Sequence, residues 1–489
     1  MKRRGSITVF LTLMLSLLLS LLCTSIESVR MASARTQILN GMDIGLYSLF
    51  GEYDRDLLKD YHLFLLDGSC GGGTLKLSVI YKELESYLKP VLKQNSQKLT
   101  FLQGGLDSYR LVTDEQGEVF YQQVVHYMQE TLGIHGVQML LDRMSDRKQK
   151  TDTAKNRGIA MENQDTLETY DSEMNTASEK SEEALQEAAD QADQNGEVTA
   201  VTVPEPAEVK NPIQTIKRIM TMGILELVIP GGAISTGGIE RGRLVSGRKL
   251  QTGTKAGQPL QADSSYISGV LFQQYLIDKL GFYGKPAESG LQYQIEYILK
   301  GRTNDLDNLK AVAKELLMVR EGVNVASLMA SPQKHAAVEA LALAIASTFL
   351  IPPAAGPIEA ALVFCWTFAE SILDLRELFA GGRVPLVKND MDWQISLENL
   401  PELLGRMDEF RKNAPGGLSY EDYLQILFLS VPKQTRILRG MDMIECSIRE
   451  KEGRPDFMLD SCIAGLEASA DIKANKRMTF TVSRGYYYN

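Results

Sequence analysis

The apolar positions of this chain are concentrated first in one run, Ile7 to Ile26, which holds no charged residue. At ~1.5 Å rise per residue such a run covers roughly 30 Å as a helix, enough to cross a bilayer. Past it the apolar residues thin to a helical stripe through Val29, Met31, Ile38, Met42, Leu46, Leu49 and Phe50, with no Pro before Leu58. One helix is therefore predicted to run from the membrane into the next domain. A bend is expected near Gly41, Gly45 or Gly51, because each Gly weakens a helix by ~1 kcal/mol relative to Ala. Leu63 to Asp67 reads as a buried strand, Ser69 to Thr74 as a flexible turn, and Leu75 to Leu92 and Val119 to Lys148 as helices.

The pattern then lapses. From 151 to 211 the chain is Glu, Asp, Gln, Asn, Ala, Ser and Thr with almost no large apolar side chains. Such a stretch cannot offset an ordering cost of about 1–2 kcal/mol per residue, so an acidic disordered insert is predicted. It reads as a spacer, the alternative being an acidic tract that repels wall polymer or binds cations. Ile213 to Ile229 resumes as an apolar helix or strand, and Ser265 to Leu280 as an amphipathic helix. The alternation of Leu291, Tyr293, Ile295, Tyr297 and Leu299 predicts a half-buried strand ended by Gly301. Asn304 or Asp305 opens a long helix toward Leu328, broken at Ser331-Pro332.

Two apolar arms follow, Ala336 to Leu350 and Ile358 to Leu373. Each is shorter than a spanning helix and contains Glu339, Glu359 or Glu370, so a buried helical hairpin over 336–373 is predicted rather than a second membrane excursion. Glu339 and Glu370 read as surface or capping positions, the alternative being a carboxylate pair for acid–base chemistry. Val384 to Val387 and Trp393 to Leu397 look like short strands. Helices are expected over Glu398 to Lys412, over Tyr420 to Leu429 with Ser419 as N-cap, and over Lys433 to Lys451. Cys462 to Ala474 and Met478 to Tyr488 alternate about Asn475-Lys476 as a terminal β-hairpin, whose Tyr486-Tyr487-Tyr488-Asn489 end forms a docking strand or an adhesive edge.

Charge adds orientation. Lys2, Arg3 and Arg4 precede the apolar run, while Glu27 accompanies Arg30 and Arg35 behind it, which favours a cytoplasmic N-terminus and an outer main domain. A cleaved signal peptide is the alternative, with Ala32-Ser33-Ala34 as its small-x-small site. The formal net charge of -10 argues against nucleic-acid binding. Arg241, Arg243, Arg248, Lys249 and Lys255 form the clearest basic concentration outside the tip. They read as a solvated loop or as a contact for anionic wall polymer or phospholipid headgroups. Among five cysteines there is no Cys-x-x-Cys pair; Cys446 and Cys462 are a candidate disulfide outside the cell, the alternative for Cys446 being a core position. The histidines lack metal-ligand spacing, no Ser sits in a Gly-x-Ser-x-Gly elbow, and no Lys-Ser/Thr pair follows Gly73. No catalytic residue, cofactor or metal is therefore expected.

The basic tip, Gly5-Ser6, the apolar helix and its continuation through Glu27-Ser28-Val29-Arg30 resemble the N-terminal half of tight-adherence (Tad/Flp) pilus minor pilins. That resemblance implies a prepilin peptidase site between Gly5 and Ser6. It is partial, since Phe10 stands at the fifth mature position, where such pilins usually carry Glu. Gly5 to Phe10, Glu52 to Leu58, Glu296 to Leu299, Val384-Pro385-Leu386 and Cys462 to Glu467 also resemble an uncharacterised family of Firmicute membrane-anchored proteins. Members of that family tend to be encoded beside tight-adherence pilus genes, and it brings no known activity.

The expected architecture is a helix-dominated α+β protein. Residues 1–6 form a cytoplasmic tip and 7–26 a single transmembrane helix in the plasma membrane. Residues 27–150 and 212–489 form an extracytoplasmic domain around the insert 151–211. The expected function is a non-enzymatic structural or accessory part of a pilus or related surface assembly, with membrane lipid and pilin-like proteins as partners. The competing class is an anchored envelope enzyme or wall-polymer binder.

Overall fold

The computed structural model describes residues 4–93, 99–158, 166–176, 211–229, 231–254, 257, 260, 263–348, 355–474 and 478–488. Helices dominate, with a small antiparallel sheet. The chain divides into two compact units, the first made of 1–133, 240–275 and 433–489, the second of 134–239 and 276–432.

In the first unit, α1 (Arg4–Phe50) is one unbroken helix. It runs without interruption through Gly41 and Gly45, which face α3 (Leu77–Lys93). A Cβ at Gly41 would lie 3.3 Å from Leu92 Cδ2, so Gly41 lets α3 approach closely, whereas one at Gly45 would sit in ordinary contact, 3.5 Å from Leu84 Cδ1. The contact face of α1 is Ala34, Ile38, Met42, Leu46 and Leu49; that of α3 is Ile80, Leu84, Leu88 and Leu92. Both stripes recur at helical spacing.

Under these helices lies the sheet. Its central strand β3 (Cys462–Ala474) pairs antiparallel along its length with β2 (Thr100–Leu111) on one side and β4 (Met478–Tyr487) on the other, and its start pairs with β1 (Leu66–Asp67). Leu466, Ala468, Ala470, Ile472 and Ala474 bury one face of β3 in the helical core, while Glu467, Ser469 and Asp471 form the polar face. The terminal hairpin is thus as expected, though its turn at Asn475-Lys476 lies outside the described residues. Of the strand expected over Leu63 to Asp67, only Leu66–Asp67 pairs.

The unit also contains α2 (Arg55–Tyr61), capped by the Asp54 carboxylate, and α15 (Lys433–Arg449). α4 (Asp114–Gly158) breaks at Gly133 (φ 63°, ψ 177°), where the chain leaves the first unit. It continues beyond 151, and residues 166–176 form a further helix, α5, with Leu167 and Tyr170 buried. Parts of the stretch expected to be disordered are therefore helical, and most of the remainder lies outside the described residues.

The second unit is built on α12 (Ala355–Phe379), which is buried on all sides from Ala361 onward. Around it pack α6 (Ile213–Met220), α7 (Ile224–Val228), α10 (Asp305–Met329) and α11 (Pro332–Thr348). The predicted hairpin is the α11–α12 pair, with Ala342, Ala346 and Ala361 buried; 349–354 lie outside the described residues.

Three expected strands fail here. Residues Gln294–Lys300 form a helix, α9, not a strand. Gln294 and Glu296, taken as the wet side of an alternation, are buried with their apolar neighbours, and Gly301 (φ 68°) is the left-handed C-cap. Val384 to Val387 and Trp393 to Leu397 are not strands either. Val384 makes an isolated bridge to Leu418, and Asp390–Asp392 and Leu397–Glu402 are 3-10 turns, the latter leading into the short helix α13 (Leu403–Phe410). Their polar backbone groups meet α12 side chains: Trp366 Nε1–H donates to the Ile395 carbonyl (2.9 Å), and the Ile395 N–H donates to Glu370. Finally, α14 (Tyr420–Phe428) begins at a Ser419–Asp422 capping box.

Candidate functional site

The clearest candidate is the exposed, apolar first half of α1. α1 is the one helix among the described residues long and apolar enough to cross a membrane. Residues 7–30 are exposed along their whole length, and burial begins at Ala34. The protruding part is on the order of 40 Å long, more than a hydrocarbon core requires. Gly5 and Ser6 occupy its first turn.

The opposite end of α1 is held by the chain's last residues. Phe50 packs on Tyr486 (centroids 4.7 Å) and Tyr488 (4.9 Å), and the Tyr488 hydroxyl donates to the Phe50 carbonyl. Arg484 pairs with Asp43 at 3.1 Å. The terminal tyrosines are thus a docking element for the chain's own helix.

The basic loop is divided by the structure. Buried Leu244 and Val245 seat it. Arg248 turns inward, donating to both Glu445 carboxylate oxygens (2.6 and 2.8 Å) and to Asp460 (2.5 Å). Burial acts to lower its pKa, but the two carboxylates outweigh that and raise it. Arg241, Arg243 and Lys249 stay exposed, with Arg243 donating to the Pro455 carbonyl (3.0 Å); Lys255 lies outside the described residues. Cys446 on α15 and Cys462 at the start of β3 are free thiols, and burial pushes Cys446 up to about 12. No group of His, Cys, Asp and Glu among the described residues is arranged to hold a metal ion.

A constellation with no sequence signal lies in the second unit. Glu370 and Asp374 stand one turn apart on α12, both fully buried. Arg320 of α10 donates to Asp374 Oδ2 (2.9 Å), to the Pro385 and Leu386 carbonyls (2.9 Å each) and to the Tyr423 hydroxyl (2.8 Å). Asn324, one turn along, donates to Asp374 and Ser371. Lys388 donates to Asp374 Oδ1 (2.5 Å) and to Glu370 Oε1. Burial raises Glu370; in Asp374 burial is overcome by Arg320 and Lys388, which lower it. Glu370 is therefore neither surface nor cap, and Glu339 lies on the exposed side of α11, so the two are not a pair. The same unit carries a cleft of about 510 Å³, lined by Met222, Leu227, Leu404, Met407 and an Arg376–Asp408 pair in which Nε and Nη2 donate to the two carboxylate oxygens at 2.8 Å each.

A model described as a family of unknown function (DUF5702) matches residues 203–474, more than half of the chain. The chain belongs to DUF5702. No curated protein and no solved structure matches it. The DUF5702 match takes in the basic loop, both candidate disulfide cysteines, the cleft and the buried charge constellation. The anchor helix, Gly5-Ser6 and the terminal tyrosines lie outside it.

Proposed function

We propose that this DUF5702 protein is a membrane-anchored, non-enzymatic structural or accessory component of a tight-adherence pilus or related surface assembly. In this reading the N-terminus is cytoplasmic and the folded part lies outside. The observation that supports it is the division of labour along α1. Its first half is bare and apolar, free to pack against lipid or other pilin-like helices, while its second half is locked onto α3 and β4. The resemblance of Gly5-Ser6 and the following helix to minor pilins points the same way. The wall-polymer reading loses Arg248, whose charge is spent on Glu445 and Asp460.

Deletion of the gene tests the proposal. Loss of pili or of the surface assembly is expected, with restoration by the full chain and by a chain in which Arg241, Arg243 and Lys249 are changed to Gln. Piliation unaffected by the deletion overturns it. Restoration by the full chain but not by the neutralised loop would instead place the function in the basic residues.

A further inference from the structure

We propose that the folded chain joins the Lys388 and Glu370 side chains through an intramolecular amide bond. The Lys388 side chain is 1% exposed and those of Glu370 and Asp374 are 0% exposed, so the amine and two carboxyl groups meet in a water-excluded site. Lys388 Nζ contacts Glu370 Oε1 directly and lies 2.5 Å from Asp374 Oδ1. The Gln394 N–H donates to both Glu370 oxygens (3.0 and 3.1 Å) and the Ile395 N–H to Oε2 (3.2 Å). Together these supply a nucleophile, a carboxyl carbon beside it, a neighbouring proton acceptor, and backbone donors aimed where negative charge develops.

The step balances without a co-reactant. Transfer of one ammonium proton from Lys388 to Glu370 turns the ion pair into an amine and a carboxylic acid, a change favoured by the burial that raises Glu370. Nζ then forms its bond to Glu370 Cδ while the displaced electron pair rests on Oε2, facing the Gln394 and Ile395 N–H groups. A second proton passes from Nζ through Asp374 Oδ1 to Oε1, the Cδ–Oε1 bond breaks, and Oε1 leaves as water. Nothing is oxidised or reduced, and Asp374 ends as the carboxylate it began.

The surroundings select Glu370 over Asp374 as the acceptor. Condensation with Glu370 removes one buried cation and one buried anion and leaves Arg320 paired with Asp374. The new amide oxygen keeps the Gln394 and Ile395 donors, and the new N–H keeps Asp374 as its acceptor. Condensation with Asp374 would strip Arg320 of the carboxylate it donates to and leave Glu370 ionised in the core with no cation hydrogen-bonded to it, which is strongly unfavourable.

The bond does not depend on the assembly role and is tested separately. The full chain, purified from membranes in detergent, is denatured, digested and read by tandem mass spectrometry. The expected result is one branched peptide containing Glu370 and Lys388, lighter by one water than its two arms together. Lys388→Arg is expected to abolish it and Asp374→Asn to leave most of it unjoined. Recovery of both arms of the wild-type chain as separate peptides at their full masses overturns the proposal, whether or not either variant folds.

Discussion

The layer formed by α1, α3 and the sheet and the bundle around α12 solve burial in opposite ways. The first is apolar throughout: stripes of Leu, Ile and Met face alanines of β3, and Gly41 on α1 admits the close approach of Leu92. Its polar residues are displaced to the outer face of the sheet, where Glu467, Ser469 and Asp471 bond to neighbouring strands. The bundle instead carries Arg320, Glu370, Asp374, Lys388 and Glu296 inside its core. An apolar layer tolerates sliding and substitution, losing stability by degrees, whereas a charge network fixes one arrangement of its elements and fails abruptly when a member is lost. That suits the first to a helix whose other half stands exposed and apolar, and the second to a rigid body.

The largest expected effect breaks the network. Arg320→Leu leaves Asp374 without its buried guanidinium and is predicted to cost about 3–5 kcal/mol, read as a lowered guanidinium midpoint of the full chain in micelles. Adding Asp374→Leu removes the carboxylate that Arg320 no longer neutralises and should return part of that loss. If the double variant is no better than the single one, the cost lies in packing and the contrast between the regions disappears.

The matching change in the apolar layer is Leu88→Ala. Leu88 is 2% exposed and meets α1 at Gly45, so its truncation leaves a cavity and is predicted to cost about 3 kcal/mol in the same measurement. No polar substitution elsewhere should compensate it. A second-site rescue by filling is expected instead, from Gly45→Ala, whose added carbon would point at the Leu88 position.

The two regions also differ in how far the sequence reveals them. The helices of the apolar layer follow from Ile80, Leu84, Leu88 and Leu92 recurring at helical spacing, and the hairpin from strict alternation in β3. In the bundle, α10 and α14 are announced by Asn304 and Ser419, whose side chains cap them. β2 escapes notice because Gly104-Gly105 and three register shifts break its alternation. α9 is misread because Gln294 and Glu296 are polar yet buried. The charge constellation is invisible because Arg320 and Lys388 come from distant stretches that read locally as solvated surface. Only the fold turns their side chains inward onto α12. Periodicity reports apolar burial and is silent on buried charge.

The smallest effect sharpens this last point through Glu296. Its Oε1 accepts from the Tyr420 hydroxyl and the Tyr283 N–H (2.8 Å each), while buried Oε2 has no hydrogen-bond partner among the described residues. Tyr283, Tyr293 and Tyr420 surround it, and Asp305 acts on it as a charge of like sign. Burial, the largest cause, with Asp305 adding to it, raises its pKa from 4.5 to about 7. Between those values the folded state holds a proton that the unfolded state has released. The resulting stabilisation is complete below about 4.5 and is lost as pH rises through about 7. From pH 6 to pH 8 the full chain should lose roughly 1 kcal/mol from this group alone. Glu296→Gln, which keeps an acceptor for Tyr420 and cannot ionise, should flatten that part of the profile. A wild-type profile already flat over that range would mean that Glu296 is ionised inside the bundle, and that its aromatic surroundings tolerate an unpaired charge which the Arg320 network is built to avoid.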